Sequence, residues 1–175
     1  MSRNGDTRTR TTYIGLGSNV GDRLTFLRNA AIEIAQCPEV TFVASSAVYQ
    51  TEPVGPPQPD FYNAVIEIET SFEPHQLLAK CQEIERQVGR ITRGRWQQRE
   101  VDLDILLLGD ERLSGPELTV PHPLMEDRAF VLVPLSDLVP HMILPSGKPL
   151  LQRLEELGRE GVTHAHPCET LWPPP

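Results

Sequence analysis

Residues 61–70, Phe-Tyr-Asn-Ala-Val-Ile-Glu-Ile-Glu-Thr, decide how the chain folds around them. In an extended chain, four apolar side chains fall on one face and three polar ones on the other: Tyr62, Ala64, Ile66 and Ile68 against Asn63, Glu67 and Glu69. Because side chains alternate across a strand, this pattern predicts a half-buried strand. A proline-dense loop at residues 51–60 precedes the strand, and a helix that Pro74 opens and Gly89 ends follows it.

The segments on either side complete a regular order of elements. Upstream, residues 11–16 are β-branched and aromatic, a helix with Asp22 as its N-cap follows, and residues 40–50 are again β-rich. Downstream come a strand at residues 101–108 and a short helix near residues 150–157. The order strand, helix, strand, strand, helix, strand predicts an α+β fold, the ferredoxin-like β-α-β-β-α-β plait with C-terminal additions. We expect an antiparallel or mixed sheet with helices on one face.

Length and charge narrow the class of protein. The 175 residues suit one domain, which we expect at residues 11–162 between a disordered tail at 1–10 and a loose tail at 163–175. Lys and Arg number 16 against 24 Asp and Glu, and the net charge of −8 argues against non-specific nucleic-acid or anionic-membrane binding. No apolar run approaches the roughly 18 residues that span a bilayer. The three cysteines lack CxxC spacing, so we expect a reducing, cytoplasmic location.

Asp102 and Asp104 lie in the predicted strand at residues 101–108. With a period of two, both carboxylates project from one face, and the other face is apolar: Val101, Leu103, Ile105 and Leu107. Two carboxylates about 7 Å apart along a strand can hold Mg²⁺, which takes its other ligands from water and phosphate. The alternatives are a solvated strand face or a pair of negative charges that compensates nearby arginines.

A run of arginines comes just before this pair. Residues 86–99 contain no acid and five arginines: Arg86, Arg90, Arg93, Arg95 and Arg99. The guanidinium fork suits phosphate oxygens, so arginines beside paired carboxylates are typical of magnesium-dependent polyphosphate chemistry. A solvated charge run, or salt bridges to the two aspartates, would explain the same pattern.

Two common phosphate-binding loops are absent from the sequence. There is no GxxxxGK[ST] motif, and the only lysines are Lys80 and Lys148, which excludes a P-loop enzyme. Gly15, Gly17 and Gly21 stand between a strand and a helix, but the third glycine comes one residue late for GxGxxG. We therefore interpret these glycines as part of a tight turn.

Two further features have both a structural and a functional interpretation. Phe61 and Phe130 could stack on a flat heterocycle while the amide of Asn63 reads its edge, or the two rings could be core residues. Asn is depleted in strands and needs a polar partner there, which favours the functional interpretation. His122, between two prolines, makes either a structural hydrogen bond or a ligand contact.

Several stretches, colinear from about residue 12 to residue 151, carry a family resemblance. They are YIGLGSNVGD at 13–22, YQTEPVG at 49–55, DFYN at 60–63, Ile84-Glu85 with Gly89-Arg90, RWQQREVDLDI at 95–105, LTVPHP at 118–123 and RAFVL at 128–132. Together they resemble the 6-hydroxymethyl-7,8-dihydropterin pyrophosphokinase family of folate biosynthesis. The resemblance implies transfer of a diphosphate from ATP to the hydroxymethyl oxygen of the reduced pterin, leaving AMP, with Mg²⁺ as cofactor. It also implies a monomer.

The resemblance further implies roles for individual residues. Asp102 and Asp104 would be the magnesium ligands, and the catalytic set would be Arg90, Arg99, Asp102 and Asp104. The ATP-binding residues would be Gln82, Glu85, Arg90, Arg95, Trp96, Arg99, Ile105 (through its backbone), Thr119, His122 and Arg128. The pterin-binding residues would be Thr51, Pro53, Val54, Phe61, Asn63 and Phe130. No general base is identified.

One departure from the family pattern lies next to Arg99. The family usually has Gly-Pro there, and this chain has Gln97-Gln98. Without the proline, φ of residue 98 is free to vary and the loop is more flexible. We expect this difference to affect the catalytic rate more than the reaction class. The same residues allow two alternatives: a non-catalytic pterin- or nucleotide-binding relative, and a metal-dependent phosphohydrolase that uses the same aspartates.

Overall fold

The computed structural model describes residues 8–91 and 97–172. In these two ranges the chain forms eight strands and four α-helices, with two short 3-10 turns. The strands are β1 (Arg10–Ser18), β2 (Val40–Ser45), β3 (Val48–Thr51), β4 (Phe61–Thr70), β5 (Asp102–Leu108), β6 (Leu113–Ser114), β7 (Thr119–Val120) and β8 (Val162–His166). The helices are α1 (Arg23–Ala35), α2 (Pro74–Val88), α3 (Ala129–Leu138) and α4 (Leu150–Leu157).

Six of the strands form one sheet in the order β5-β1-β4-β3-β8, with β2 also paired to β4. All of its pairings are antiparallel, and β6 and β7 form a separate small ladder. The predicted α+β class is confirmed, and of the two predicted sheet types, antiparallel or mixed, the sheet is antiparallel. The β-rich stretch at residues 40–50 divides into two strands at Ser46, whose hydroxyl accepts a hydrogen bond from Val65 N–H (2.9 Å) and donates one to Ala47 C=O (2.7 Å).

Helices α1 and α2 form at the predicted places in the chain and cover one face of this sheet. Asp22 caps α1, because its Oδ1 accepts a hydrogen bond of 3.1 Å from Thr25 N–H. Pro74 stands in the first turn of α2, and Gly89 ends that helix with φ of 117°, a conformation that glycine adopts without strain. The apolar side chains of both helices pack on the β1, β4 and β5 side chains that point to this face: Ile14, Leu16, Ala64, Ile66, Ile68, Leu103, Ile105 and Leu108.

The opposite face is covered as well, by α3 and α4. Leu132 and Leu135 of α3 and Leu150 of α4 are buried with Tyr13 and Val65, which point away from α1 and α2. The prediction that helices lie on one face is therefore wrong for the whole chain. The central strand β4 is buried on both faces around Val65 rather than half-buried, because the C-terminal helices supply a second hydrophobic layer.

A bulge in the β1–β5 ladder reverses one predicted orientation. Tyr13 pairs with Leu107 and Ile14 with Ile105, so Leu106 is an extra residue on β5. Leu106 and Leu107 both pack in the cluster under α3 and α4, although the alternation predicted Leu107 beside Leu103 and Ile105. The extra residue shifts the alternation by one position.

Parts of both predicted tails belong to the fold. Arg10 is the first residue of β1, whereas residues 1–7 of the predicted N-terminal tail lie outside the described residues. At the other end, residues 162–166 pair with β3 as strand β8, and Leu171 is buried in the core under α1 and α2. A loose tail from residue 163 therefore does not describe residues 163–171. Across the two described ranges, no helix has the length and apolarity needed to cross a membrane.

Candidate active site

Three neighbouring strands bring polar residues and glycines to one face of the sheet. Gly17 of β1 pairs with Asp102 of β5 on one side and with Asn63 of β4 on the other. Gly15 pairs in the same way with Asp104 and with Val65. Residues directly opposite each other in an antiparallel sheet point to the same face, so both carboxylates and the Asn63 amide line one surface.

The glycines of β1 make room on this surface. A Cβ at Gly17 would stand 2.9 Å from Asn63 Oδ1 and 3.7 Å from the ring of Phe61, closer to the amide oxygen than real Cβ atoms stand. The interpretation of Gly15 and Gly17 as turn residues is wrong, because both lie inside β1, and only Gly21 of the three has a positive φ. The signal in the sequence is their spacing of two within a strand, which places both on one face.

A cavity of about 260 Å³ opens above these glycines. Residues from β1, β3, β4, β5, α3 and the connecting loops line it: Gly15, Leu16, Gly17, Thr51, Glu52, Val54, Gln58, Phe61, Asn63, Ala64, Val65, Gln97, Arg99, Asp102, Asp104, Leu106, Arg128, Phe130 and Val131. Its two ends differ in chemistry, because aromatic and amide groups line one end and carboxylates and guanidinium groups the other.

Five of the six predicted pterin-binding residues line the cavity, and Pro53 does not: Thr51, Val54, Phe61, Asn63 and Phe130. Asn63 Nδ2 donates a hydrogen bond of 2.6 Å to Thr51 Oγ1, which fixes the amide of Asn63 in the wall. Within residues 8–91 and 97–172, neither Phe61 nor Phe130 contacts another aromatic ring, and the guanidinium carbon of Arg128 lies 5.5 Å from the centre of the Phe130 ring. Both phenylalanine rings line the cavity, where a flat ligand could contact them.

Asp102 is the centre of an ion-pair network at the other end. Its Oδ1 lies 3.0 Å from Arg90 Nη1, and its Oδ2 pairs with Arg99 Nη1. Arg90 also pairs with Glu85, whose other oxygen accepts a hydrogen bond of 2.7 Å from Leu103 N–H. Burial raises the pKa of Glu85, and the Leu103 amide counteracts that rise. Salt bridges to the aspartates were one of the two alternative explanations for the run of arginines. They occur at Asp102, which pairs with Arg90 and Arg99.

Asp104 differs from Asp102 because its carboxylate lacks a hydrogen-bond or ion-pair partner in the part of the chain that the structure describes. Burial, followed by the neighbouring charge of Asp102, raises the pKa of Asp104 to about 7, while Arg128 opposes that rise. Asp104 is half-buried and lines the cavity, so its carboxylate can meet a cation from that side. Two carboxylates on one face, one of them without a partner, fit a hard cation such as Mg²⁺.

The other predicted nucleotide-binding residues are distributed around this end. Arg128 lines the cavity with Arg99, whereas Gln82 is exposed on α2 and the side chain of Ile105 is buried in the core. Thr119 lies on β7, and its Oγ1 donates to Gly115 C=O at 3.4 Å.

His122 has structural hydrogen bonds. The backbone N–H of His122 donates a hydrogen bond to Leu106 C=O of β5 (2.9 Å), and the ring Nδ1 accepts one from the Leu124 backbone N–H (3.2 Å). Burial, with the charge of Arg128, lowers the pKa of His122, and Asp102 opposes that change. Arg93, Arg95 and Trp96 lie outside the described residues.

A carboxylate pair with guanidinium groups at one end of a cavity, and an aromatic and amide wall at the other, are typical of enzymes that bring a metal-bound polyphosphate to a flat heterocycle. The comparison with family models narrows this class. The model of the family 7,8-dihydro-6-hydroxymethylpterin-pyrophosphokinase (HPPK) matches residues 13–140. The chain belongs to this family.

Individual relatives agree with the family match. The 2-amino-4-hydroxy-6-hydroxymethyldihydropteridine pyrophosphokinase of Bacillus subtilis is 46% identical over 127 residues, which cover 72% of this chain and 76% of the relative. The protein of the same name from Pseudomonas aeruginosa is 42% identical over 151 residues, 86% of this chain and 93% of the relative. A crystal structure of Plasmodium falciparum HPPK-DHPS is similar over 92% of this chain, with a TM-score of 0.71 and 13% identity. This chain spans about half of that protein's length, and at 13% identity the likeness concerns the fold.

Proposed function

We propose that the protein transfers a diphosphate group from ATP to 6-hydroxymethyl-7,8-dihydropterin, a step of folate biosynthesis. The hydroxymethyl oxygen bonds to the β-phosphorus of ATP, and the bond from that phosphorus to the oxygen shared with the α-phosphate breaks. That oxygen leaves with AMP, and the hydroxyl proton is released. The observation that carries the proposal is the cross-strand arrangement in which Gly17 separates Asp102 from Asn63 at the base of one cavity.

The aromatic end of the cavity suits the pterin. Phe61 and Phe130 offer two faces for a bicyclic ring, and stacking on aromatic side chains tolerates any flat heterocycle. The amide of Asn63 carries a donor and an acceptor, as the ring edge requires, and Thr51 holds its orientation. Val54 would close this end, since it lines the cavity and is 61% exposed.

The charged end suits the triphosphate. Arg99 and Arg128 line the cavity, and Arg90 contacts Asp102 beside it, so guanidinium groups surround the place where phosphate charge would develop. Catalysis then comes from positioning and charge neutralisation rather than from a covalent intermediate. The proposed nucleotide contacts of Gln82, Glu85, Arg95, Trp96, Thr119 and His122, and of Ile105 through its backbone, rest on the family resemblance.

Asp102 and Asp104 would hold Mg²⁺, which neutralises charge on the transferred group and aligns the phosphate oxygens. Clusters of three or more potential ligands from His, Cys, Asp and Glu are absent from residues 8–91 and 97–172. The remaining ligands would therefore be water and phosphate oxygens, as is usual for magnesium.

The proposal also covers the fold type, the oligomeric state, the cellular location and the partners of the enzyme. The antiparallel order β5-β1-β4-β2 supports a ferredoxin-like plait within a domain at residues 11–162. Helices α3 and α4 are additions to the plait inside that domain, and β8 extends the sheet beyond residue 162. A monomer suits a site that is assembled within one chain. Three free thiols and the use of ATP support a cytoplasmic location, and the net charge of −8 argues against nucleic-acid and membrane partners.

The deciding experiment incubates the purified protein with ATP, Mg²⁺ and the reduced hydroxymethylpterin and separates the nucleotides. AMP formed in a one-to-one ratio with pterin diphosphate supports the proposal. ADP would indicate transfer of a single phosphoryl group, and ATP hydrolysis without pterin would indicate a phosphohydrolase. Binding of both substrates without turnover would indicate a non-catalytic relative.

A further inference from the structure

Asn19 is a buried polar residue whose side chain bonds to two different loops. It follows the last residue of β1 and is 1% exposed. An amide side chain has one carbonyl acceptor and two N–H donors, and burial makes each of them costly to leave without a partner. The partners of Asn19 come from the segment before β5 and from the loop at residues 52–60.

On the phosphate side, Asn19 holds the backbone of Arg99. Arg99 N–H donates to Asn19 Oδ1 at 2.9 Å, and Asn19 N–H donates to Arg99 C=O at 3.1 Å. Two bonds fix the backbone from which the Arg99 side chain reaches Asp102.

On the pterin side, the same amide holds the loop at residues 52–60. Asn19 Nδ2 donates to Gln58 Oε1 at 2.9 Å and to Pro59 C=O at 3.1 Å. Gln58 lines the cavity, and Phe61 follows this loop directly.

We infer that Asn19 is a positioning residue that fixes the Arg99 segment and the loop at residues 52–60 relative to each other across the cavity. The inference rests on the proposed function, since both substrates would meet between these two segments. Asn is suited to this position because aspartate lacks the N–H donors and serine has only one donor. A displacement of either segment would misalign the phosphorus and the attacking oxygen, and errors of about 1 Å can cost on the order of 100-fold in rate.

The first test is a double-mutant cycle on kcat/KM with Asn19→Ala, Gln58→Ala and the double variant. We expect Asn19→Ala to lower kcat/KM by about 10- to 100-fold, with a lower kcat as well as higher KM values. If Gln58 acts through Asn19, adding Gln58→Ala to Asn19→Ala causes less than about a twofold further loss. Additive losses, or a folded Asn19→Ala protein with wild-type kcat/KM, would overturn the inference.

The second test measures amide hydrogen exchange and does not depend on turnover. Asn19→Ala should speed exchange both at Arg99 and at Gln58 and Asp60, because the two segments lose the same anchor. The matched control is Thr70→Ala, which removes a buried hydroxyl that bonds to Glu39 C=O (3.0 Å) and Phe72 N–H (3.1 Å) at the far end of β4. This variant should lower Tm but leave exchange in both segments unchanged. Faster exchange at Arg99 alone would overturn the inference.

Asn19→Asp provides a variant that keeps the acceptor for Arg99 N–H and loses the donor for Pro59 C=O. It should raise the KM for the pterin at least threefold while the KM for ATP stays within twofold of wild type. An equal rise in both KM values would overturn the assignment of the Asn19 acceptor to the Arg99 segment and of its donor to the loop at residues 52–60. If the wild-type protein forms no AMP, the proposed function fails, and the exchange experiment still decides whether Asn19 links the two segments.

Discussion

Gly17 of β1 lies directly opposite Asn63 of β4, and a methyl group at Gly17 would stand 2.9 Å from the Asn63 amide oxygen. Asn63 has little freedom to retreat, because its Nδ2 is bonded to Thr51 Oγ1. The absence of a side chain at residue 17 therefore keeps the amide accessible to a ligand.

Gly17→Ala should weaken pterin binding by about tenfold or more, since the new methyl group displaces the Asn63 amide or occupies the space of the ring. The free energy of unfolding should fall by about 1–3 kcal/mol, because the methyl group is forced against the buried Asn63 amide, and the lower backbone entropy of alanine offsets only part of that loss. The comparison variant is Gly15→Ala, whose Cβ would meet Leu106 at 3.6 Å and the Asp104 backbone oxygen at 3.8 Å, both ordinary contact distances. Calorimetric titration with the pterin tests this, and equal affinities for Gly17→Ala and wild type would contradict it.

Asp102→Asn and Asp104→Asn should each lower the Mg²⁺-dependent rate by at least about 100- to 1000-fold, because a weaker metal site leaves phosphate charge uncompensated. Steady-state kinetics over a range of Mg²⁺ concentrations measures the loss. Thermal melts without metal should separate the two variants. Asp102→Asn should lower Tm more, because it breaks contacts with Arg90 and Arg99, whereas Asp104 has no such partner within the described ranges. Near wild-type turnover in either variant would exclude the metal assignment.

Phe61→Ala and Phe130→Ala should each weaken pterin binding by about 1–3 kcal/mol, the range for a lost stacking contact, and leave ATP binding nearly unchanged. The matched control is Phe42→Ala. Phe42 packs against the core under α1 and α2, and its ring centre lies 5.1 Å from that of Trp172. The control should lower Tm without changing pterin affinity. If both ligands weaken equally in the two test variants, the rings are core residues rather than a binding slot.

The ends of α1 and α2 could be predicted from the sequence because their signals are local. The side chain of Asp22 bonds to a residue three positions later, and Pro74 and Gly89 act through their own backbone dihedrals. The face taken by Leu107 could not be predicted in this way. It depends on a bulge that forms only when β5 is paired with β1, and the pattern of β5 alone contains no sign of it.

The candidate site could be predicted from the sequence only where its signals are local. Alternation within β5 predicts that Asp102 and Asp104 share one face, and the rarity of Asn in strands favours a functional role for Asn63. The role of Gly17 depends on which strands flank it, and strand order is a long-range property of the fold. Strand β8 was missed for the same reason, since its pattern, Val-Thr-His-Ala-His, becomes a strand by pairing with the edge of β3.

Two buried serines should respond to alanine in opposite ways. Ser18 Oγ is buried and lacks a hydrogen-bond partner in the part of the chain that the structure describes. Ser18→Ala should therefore raise the free energy of unfolding by about 1 kcal/mol, because it removes an unsatisfied polar atom. Ser46 is equally buried, but its hydroxyl bonds to Val65 N–H and Ala47 C=O, so Ser46→Ala should cost about 1–3 kcal/mol. Denaturant unfolding measures both, and destabilisation by Ser18→Ala would mean that its hydroxyl has a partner in solution.

The pair Gln97-Gln98 offers a test of how much the segment before β5 limits the rate. Gln97 lines the cavity, and Arg99 follows with its N–H bonded to Asn19 Oδ1. In Gln97→Gly/Gln98→Pro, the proline fixes its own φ and biases residue 97 toward extended backbone, while the glycine adds freedom at residue 97. We expect the proline to dominate and to hold Arg99 nearer the position in which it meets phosphate.

The expected gain in kcat/KM is on the order of threefold, since one fixed dihedral contributes about 0.7 kcal/mol. It should be no larger, because Asn19 already restrains the Arg99 backbone through two hydrogen bonds. Steady-state kinetics of the double variant against wild type measures the change, and Gln98→Pro alone serves as the control for the effect of glycine. An unchanged or lower kcat/KM would mean that Gln97-Gln98 is compatible with the active geometry, and that the anchor at Asn19, rather than the local dihedrals, sets the position of Arg99.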